Sequence, residues 1–342
     1  FKMMRGKASL HGEAIQRLRQ RMETGDFVEG EGSLSEEPIF HDYVDYVAEN
    51  ITLGARRLRV VVDGGNGTGG PAAVELLERL GVDVVPLFIE MDGTFPNHHP
   101  DPTVAHNLED VIAAVAREGA DLGVAYDGDA DRIGVVDEQG EIIWGDRLMI
   151  LLSRAILADN PGAAIVSEVK CSRTLFEDIA AHGGRPIMSQ VGHSIIKDRM
   201  VKEAALLGGE MSGHIFFKHR WFGFDDAVYT TARLLEIVSE TDAPLSRLLA
   251  DVPKTHVTPE IRLDCPDSQK FTVVEEAVRH FKALHPVVDI DGARVDFGDG
   301  WGLIRASNTQ PVIVLRAEAD TADSLARIRE TLEGFVASHG GM

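Results

Sequence analysis

From residue 59 to residue 136 the chain alternates short valine-rich runs with helical spacings, which restricts it to folds in which helices cover a largely parallel sheet. Arg59-Val-Val-Val-Asp63 is too short for a helix and reads as a buried strand. A glycine-rich turn over 64–70 follows. A helix is expected over 71–80, with Pro71 at its start, where a missing N–H does no harm. A second strand over 82–89 completes a βαβ unit. A helix over 107–118 and a strand before Asp127 continue the pattern, giving one α/β domain over 40–141.

The alternation then restarts. Helices over 146–158, 174–181, 195–202 and 227–239 and strands over 164–169 and 186–190 give a second α/β domain, 142–253, that repeats the first in outline. From 254 the order changes to a strand, a helix over 272–285, strands near 287–290, 293–297, 302–306 and 312–317, and a terminal helix over 322–338. That is an α+β domain with an antiparallel sheet, 254–342. Ahead of all three, residues 11–23 place Ile15, Leu18 and Met22 at helical spacing, and the acidic run 25–37 reads as a linker. The expected class is therefore α/β: two successive mixed-sheet α/β domains followed by an α+β domain.

Chemistry is concentrated in three loops. The first, Asp127-Gly-Asp129-Ala-Asp131-Arg132, sets carboxylates at every second position between two apolar runs. Three anions on one loop repel by several kcal/mol unless a cation neutralises them, and carboxylate oxygens suit a hard divalent ion. The spacing also opens an EF-hand, with Glu138 at position twelve. Arg132 stands where that loop needs glycine, however, and the flanks are β-branched runs, not helices. A merely solvated acidic turn is the plain alternative.

The second loop, Gly208-Gly-Glu210-Met211-Ser212-Gly213-His214, puts a carboxylate, a hydroxyl and an imidazole at alternate positions. Such a trio can bracket vicinal sugar hydroxyls, with glycines allowing close approach. Lys170 and Gly192-His193-Ser194 each close a strand, at the edge where α/β sheets take ligands. The third loop, Arg305-Ala-Ser307-Asn308-Thr309-Gln-Pro311, is rich in donors and forms an anion cradle to which Arg316 could add charge. An ordinary polar loop and a plain hairpin turn are the alternatives for these two. Gly65-Asn-Gly67-Thr-Gly-Gly70 matches a dinucleotide fingerprint, with Glu90 about twenty residues on. Asp63 and Asn66 crowd that turn and Pro71 removes an early helix N–H, so a structural strand-to-helix turn is expected instead.

A formal charge of -21 opposes nucleic acid or an anionic membrane as a broad partner. Phosphorylated ligands must therefore be held by local arginine, lysine and metal. Cys171 and Cys265 are far apart and lack a CxxC, which fits a reducing cytosol and neither a disulfide framework nor a zinc site. No apolar run has membrane-spanning length and no signal-peptide pattern is present. A cytoplasmic location is expected, with no obligatory protein partner. Phe1 in place of methionine suggests a chain cut from something longer.

Together these motifs resemble the α-D-phosphohexomutase family, most closely its bacterial phosphomannomutase/phosphoglucomutase branch. The metal, sugar and phosphate loops stand in the family's order, and Asp92-Gly-x-Phe-Pro-Asn-His-His-Pro-Asp101, Val169-Lys-Cys171 and Trp221-Phe-Gly-Phe-Asp-Asp226 are similar too. The resemblance implies Mg²⁺ on Asp127, Asp129 and Asp131, with Arg132 facing the transferring phosphoryl group. It implies Glu210 and Ser212 on sugar hydroxyls, His214 supporting them, and Lys170 and His193 on the sugar side, His193 also as a catalytic group. Arg305, Ser307, Asn308 and Thr309 would grip the phosphate that is not reacting. Met211 favours mannose and glucose phosphates; glucosamine phosphate is the enzymatic alternative, and a silent sugar-phosphate-binding fragment or a nucleotide-dependent oxidoreductase are alternatives of other classes. The family's phosphoserine motif, Ser-His-Asn-Pro, does not occur in the sequence. Residues 1–39 are expected to be the remnant of that phosphoserine domain plus a linker, with Lys2 as its proton-transfer lysine.

Overall fold

The computed structural model describes residues 3–6, 8–10 and 12–340. A two-strand hairpin, β1 (Met4–Arg5) and β2 (Ala8–Ser9), leads to helix α1 (Glu13–Thr24), which ends where Gly25 takes φ 67°. No residue of α1 is buried, and residues 26–39 carry no helix or strand. Helix α2 (Phe40–Asn50) then packs Val44 and Val47 into the core. The sequence reading gave it no element, since its aromatic and charged residues blur the apolar stripe.

The first sheet consists of β3 (Arg59–Asp63), β4 (Asp83–Leu87), β5 (Leu122–Tyr126), β6 (Ile133–Asp137) and β7 (Ile142–Ile143) in the order β4-β3-β5-β6-β7. Its first three strands are parallel and the return through β6 and β7 is antiparallel. Helices α3 (Gly69–Arg79) and α4 (Glu109–Glu118) make the crossovers. After α5 (Gly145–Asp159), the second sheet is built from β8 (Ala164–Glu168), β9 (Arg185–Ser189), β10 (Leu207–Gly209) and β11 (Ile215–Phe217). Its order is β11-β10-β8-β9, again with three parallel strands and one antiparallel return. Helices α6 (Arg173–Ala181) and α7 (His193–Glu203) cross over, and α8 (Ala227–Ser239) and α9 (Leu245–Leu248) follow. Strands β10 and β11 are only three residues each, too short for a period-2 signal, and the sequence reading passed over both.

The third sheet is antiparallel throughout. It contains β12 (His256–Val257), β13 (Ile261–Asp264), β14 (Val287–Val288), β15 (Ala293–Asp296), β16 (Gly300–Ala306) and β17 (Val312–Ala319), backed by α10 (Asp267–Lys282) and α11 (Ala322–Ser338). One apolar cluster runs from Val44 to Val252 and joins the two α/β units, whereas the third unit closes its own core around Phe281, Ile304, Leu315 and Leu332. Between the second and third units the apolar contact is small, formed by Val169, Trp301 and Leu303. No helix is long and apolar enough to cross a membrane among the described residues.

Candidate active site

The aspartate loop is the hairpin between β5 and β6, two fully buried strands that hold its ends 127 and 132 together. Asp127 organises the turn: its Oδ1 accepts the N–H groups of Asp131 and Arg132, each at 3.0 Å. Carboxylate oxygens of Asp127, Asp129 and Asp131 lie within 4.8 Å of one another. Asp127 and Asp131 are buried and Asp129 is exposed, so one side of the group is open. Three convergent carboxylates fit a hard cation, which takes oxygen ligands. Burial pushes the Asp127 pKa up despite Arg132, and this is the electrostatic stress that a bound cation would relieve. Arg132 donates from Nε to Asp127 Oδ2 at 2.7 Å and from a terminal nitrogen to Asp101 Oδ1 at 3.0 Å. Its guanidinium thus sits on the ligand loop itself.

The glycine-rich turn backs this loop. Thr68 donates its N–H to the Gly128 carbonyl at 3.0 Å, and a Cβ on Gly67 would lie 2.7 Å from that same oxygen. One on Gly69 would lie 2.4 Å from the Ala130 Cβ. The space above the turn is filled by the aspartate loop, leaving none for a pyrophosphate, so the structural reading of the turn stands. The stretch 92–101 laces the two together: His98 Nε2 meets Asp63 at 3.0 Å, Asn97 donates to Asn66 at 2.8 Å, and Asp101 holds Arg132. The Asp63 carboxylate raises the His98 pKa to about 9, against the opposing effect of burial.

Loop 210–214 occupies the equivalent hairpin of the second sheet, between β10 and β11. Glu210 Oε2 accepts from Ser212 Oγ at 3.1 Å and meets His214 Nδ1 at 3.0 Å. The other ring nitrogen of His214 lies 3.1 Å from Asp131. Although burial opposes it, the contacts to His214 and the Gly192 N–H hold the Glu210 pKa down at about 2. Loops 210–214 and 127–132 are thus physically joined, and the Ile133 N–H on Gly213 O at 3.1 Å adds a backbone link. The glycines here do a different job from the one expected. Gly208 and Gly209 lie in β10, where added Cβ atoms would strike Met200 and Met149, and Gly213 backs onto Ile133, so they serve packing.

Lys170 follows β8 and is buried, with its ammonium 3.2 Å from Glu260 of the third unit. Burial works against the charge, but Glu168, Glu260 and Glu210 more than offset it and raise the lysine pKa. Glu168, which the sequence reading missed, is fully buried; its carboxylate accepts the N–H of Lys170 at 2.5 Å and of Met211 at 3.2 Å. It joins the loops after β8 and β10. His193 is half-buried as the first residue of α7.

At the end of β16, Arg305 is buried and paired with Asp291 at 3.1 Å. Ser307 Oγ accepts the N–H groups of Thr309 at 3.3 Å and Gln310 at 3.2 Å, while Asn308 and Thr309 are exposed. Asp291 also accepts the Val191 N–H at 3.0 Å, and neighbouring Gly192 donates to Glu210 at 2.8 Å. A continuous set of bonds therefore links loop 305–311 to loop 210–214. Arg316 departs from expectation: it lies opposite Leu303 in the sheet, buried, with its guanidinium 3.5 Å from Asp146, so it adds no charge to the cradle. Asp101, Asp225 and Asp291 were also passed over; Asp225 shares a close group with Asp131 and His214. Isolated aspartates carry no spacing signal, and only 92–101 and 221–226 marked two of them. Lys2 lies outside the described residues.

Family models for phosphoglucomutase/phosphomannomutase match three consecutive segments: α/β/α domain II over 41–140, α/β/α domain III over 144–256 and the C-terminal domain over 260–334. The chain is 47% identical over 330 residues to the phosphomannomutase/phosphoglucomutase of Pseudomonas aeruginosa, covering 96% of this chain and 71% of that protein. It is 46% identical to the phosphoglucomutase of Neisseria gonorrhoeae, across 99% of this chain and 74% of the relative. A crystal structure of a phosphoglucomutase/phosphomannomutase family protein from Burkholderia thailandensis superposes with a TM-score of 0.90 at 43% identity, over 97% of this chain and 71% of that one. With its three loops facing one another and these likenesses along nearly its whole length, the chain belongs to the α-D-phosphohexomutase family, among the phosphoglucomutases/phosphomannomutases.

Proposed function

We propose that this chain carries the metal-, sugar- and phosphate-reading parts of a mutase that interconverts hexose 1-phosphate and hexose 6-phosphate, with mannose and glucose as the sugars. The observation that carries the reading is the His214–Asp131 contact, which joins loop 210–214 to the aspartate loop. Phosphoryl transfer depends chiefly on positioning and neutralisation of charge. Mg²⁺ on Asp127, Asp129 and Asp131 would supply a Lewis acid for a phosphoryl oxygen. Arg132 neutralises charge beside that loop. Glu210, Ser212 and His214 orient the sugar hydroxyls, with Lys170 and His193 on the same side, and Arg305, Ser307, Asn308 and Thr309 hold the far phosphate. A 1,6-bisphosphate intermediate must be read in two orientations, so the cradle stays fixed while the sugar loop accepts both. Two buried cysteines support a cytosolic setting.

Because the sequence contains no Ser-His-Asn-Pro, we propose that this chain by itself binds hexose phosphates without turning them over. Purified chain given mannose 1-phosphate, Mg²⁺ and a hexose 1,6-bisphosphate is expected to form no mannose 6-phosphate above blank. Robust turnover overturns that part of the proposal. Calorimetry with hexose 6-phosphate tests the rest: Arg305→Ala should weaken binding by about 1.5–3 kcal/mol, the scale of charge-assisted hydrogen bonds. Unchanged binding would remove the cradle from the site.

A further inference from the structure

The inner face of the third sheet carries a set of polar residues that the substrate loops do not use. Leu303 on β16 lies opposite Arg294 on β15 and Arg316 on β17, and Trp301 lies opposite Glu318. Because side chains alternate along a strand, Trp301, Leu303 and Arg305 share this face with those partners. The opposite face, with Ala293, Val295, Ile304 and Leu315, packs into the unit's own core. Arg294 therefore projects toward the second α/β unit from the same surface that presents Arg305.

The guanidinium of Arg294 donates to the carbonyls of Val169 and Cys171, the latter at 2.9 Å. These are the two residues on either side of Lys170. The charged group lies 3.6 Å from the centre of the Trp301 ring, and Arg294 is 6% exposed. Among the described residues no carboxylate forms an ion pair with it. A buried arginine held by neutral carbonyls and an indole is poor value for stability, since an apolar side chain of similar volume often serves as well. What it does supply is a planar fork of donors in fixed geometry. The rest of the loop is pinned too: Glu168 takes the Lys170 N–H, Asp146 the Ser172 N–H at 3.0 Å, and Glu318 the Ser172 hydroxyl at 2.8 Å.

We infer that Arg294 is a positioning residue: by holding the carbonyls on both sides of Lys170, it sets that ammonium at a fixed place relative to Arg305 and the phosphate cradle. The inference rests on the sugar-phosphate reading of the site. Arg305, and Lys170 held in place through Arg294 on the same sheet face as Arg305, then define the span that a hexose phosphate must fit, with its phosphate at Arg305 and its sugar at Lys170.

The test is a calorimetric cycle on the full chain with hexose 6-phosphate and inorganic phosphate as probes. Arg294→Lys keeps the charge but loses the fork. It should weaken hexose 6-phosphate binding roughly 5- to 30-fold, inside the range of coupling between contacting groups, and leave inorganic phosphate within about twofold. In a Lys170→Met background the same substitution should have little further effect, because nothing is left to position. Arg294→Gln, which can still donate to one carbonyl, should show the same split and serves if the lysine variant folds poorly. Equal losses for both probes, an undiminished loss in the Lys170→Met background, or no loss at all overturns the inference. Arg305→Ala runs alongside: if it leaves hexose 6-phosphate binding unchanged, the cradle reading has failed, whereas a loss there with none at Arg294 refutes only the positioning role.

Discussion

In the first α/β unit the hairpin after the third parallel strand, 127–132, holds three aspartates. In the second unit the equivalent hairpin, 210–214, holds glutamate, serine and histidine. The first turn of each unit differs in the opposite sense. After β3 it is a run of glycines packed beneath the aspartate loop, and after β8 it is the loop that bears Lys170. One topology thus delivers chemistry to the same sheet edge twice, and the choice of side chain decides whether a given loop binds or supports. Sheet order fixes where a site can be; it does not fix which of its loops is used.

The largest expected contrast between the units is in their response to pH. Glu210 has a folded-state pKa of about 2 against an ordinary 4.5, so its stabilising effect is present above 4.5 and lost as pH falls toward 2. His98 in the first unit is the reverse: raised from 6.5 to about 9, it stabilises fully below 6.5 and loses that effect as pH rises through 9. For the buried Glu210 this amounts to on the order of 3 kcal/mol, and for His98 to less, because solvent screens its pairing with Asp63. Denaturant unfolding across pH should show Glu210→Gln flattening only the acid limb and His98→Gln only the alkaline limb. A variant that moves both limbs would mean that the units do not titrate separately.

Next in size is metal affinity. Asp129→Asn removes a ligand charge and is expected to weaken Mg²⁺ binding by roughly 10- to 100-fold or more in calorimetry, since even outer groups of metal sites have effects of that size. Ser212→Ala, in the matching loop, should leave Mg²⁺ binding unchanged. Gly69→Ala should destabilise the chain by about 2 kcal/mol in thermal unfolding, because its Cβ would overlap Ala130 at 2.4 Å and the strand-to-helix turn has little room to shift. The smallest change is expected at an exposed cap of the third unit. Thr321 caps α11 by accepting the Ser324 N–H at 3.1 Å, and Thr321→Ala should remove about 1 kcal/mol. A loss larger than that for Gly69→Ala would reverse the view that the glycine turn is tightly packed.

Long apolar runs were legible without coordinates. Helices Ala227–Ser239 and Ala322–Ser338 have the bounds that their periodicity predicts. Strands β10 and β11 were not, because three residues cannot show alternation, and with them went the recognition that Gly208 and Gly209 serve strand packing. In the site, the three donor- or acid-rich loops could be read because their residues are consecutive. Glu168, Asp101 and Asp291 could not, because each acts on a partner brought near only by folding: Met211, Arg132 and Arg305. Arg316 misled for the same reason: it shares the sheet face of Arg305, but folding brings Asp146 of the second unit beside its guanidinium, which pairs there.

The polar seam in front of the third sheet also bears on how the chain comes apart. The apolar cluster shared by the two α/β units should make them melt as one cooperative body, since neither can expose its face without the other. The third unit keeps its own closed core and meets its neighbour mostly through hydrogen bonds and ion pairs, so water can replace much of that contact. It is expected to open as a separate foldon, and hydrogen exchange should find its amides opening at a free energy different from that of the rest. The boundary between the two cooperative bodies runs through the loop of Lys170, so the proposed substrate site bridges a joint held mainly by polar contacts.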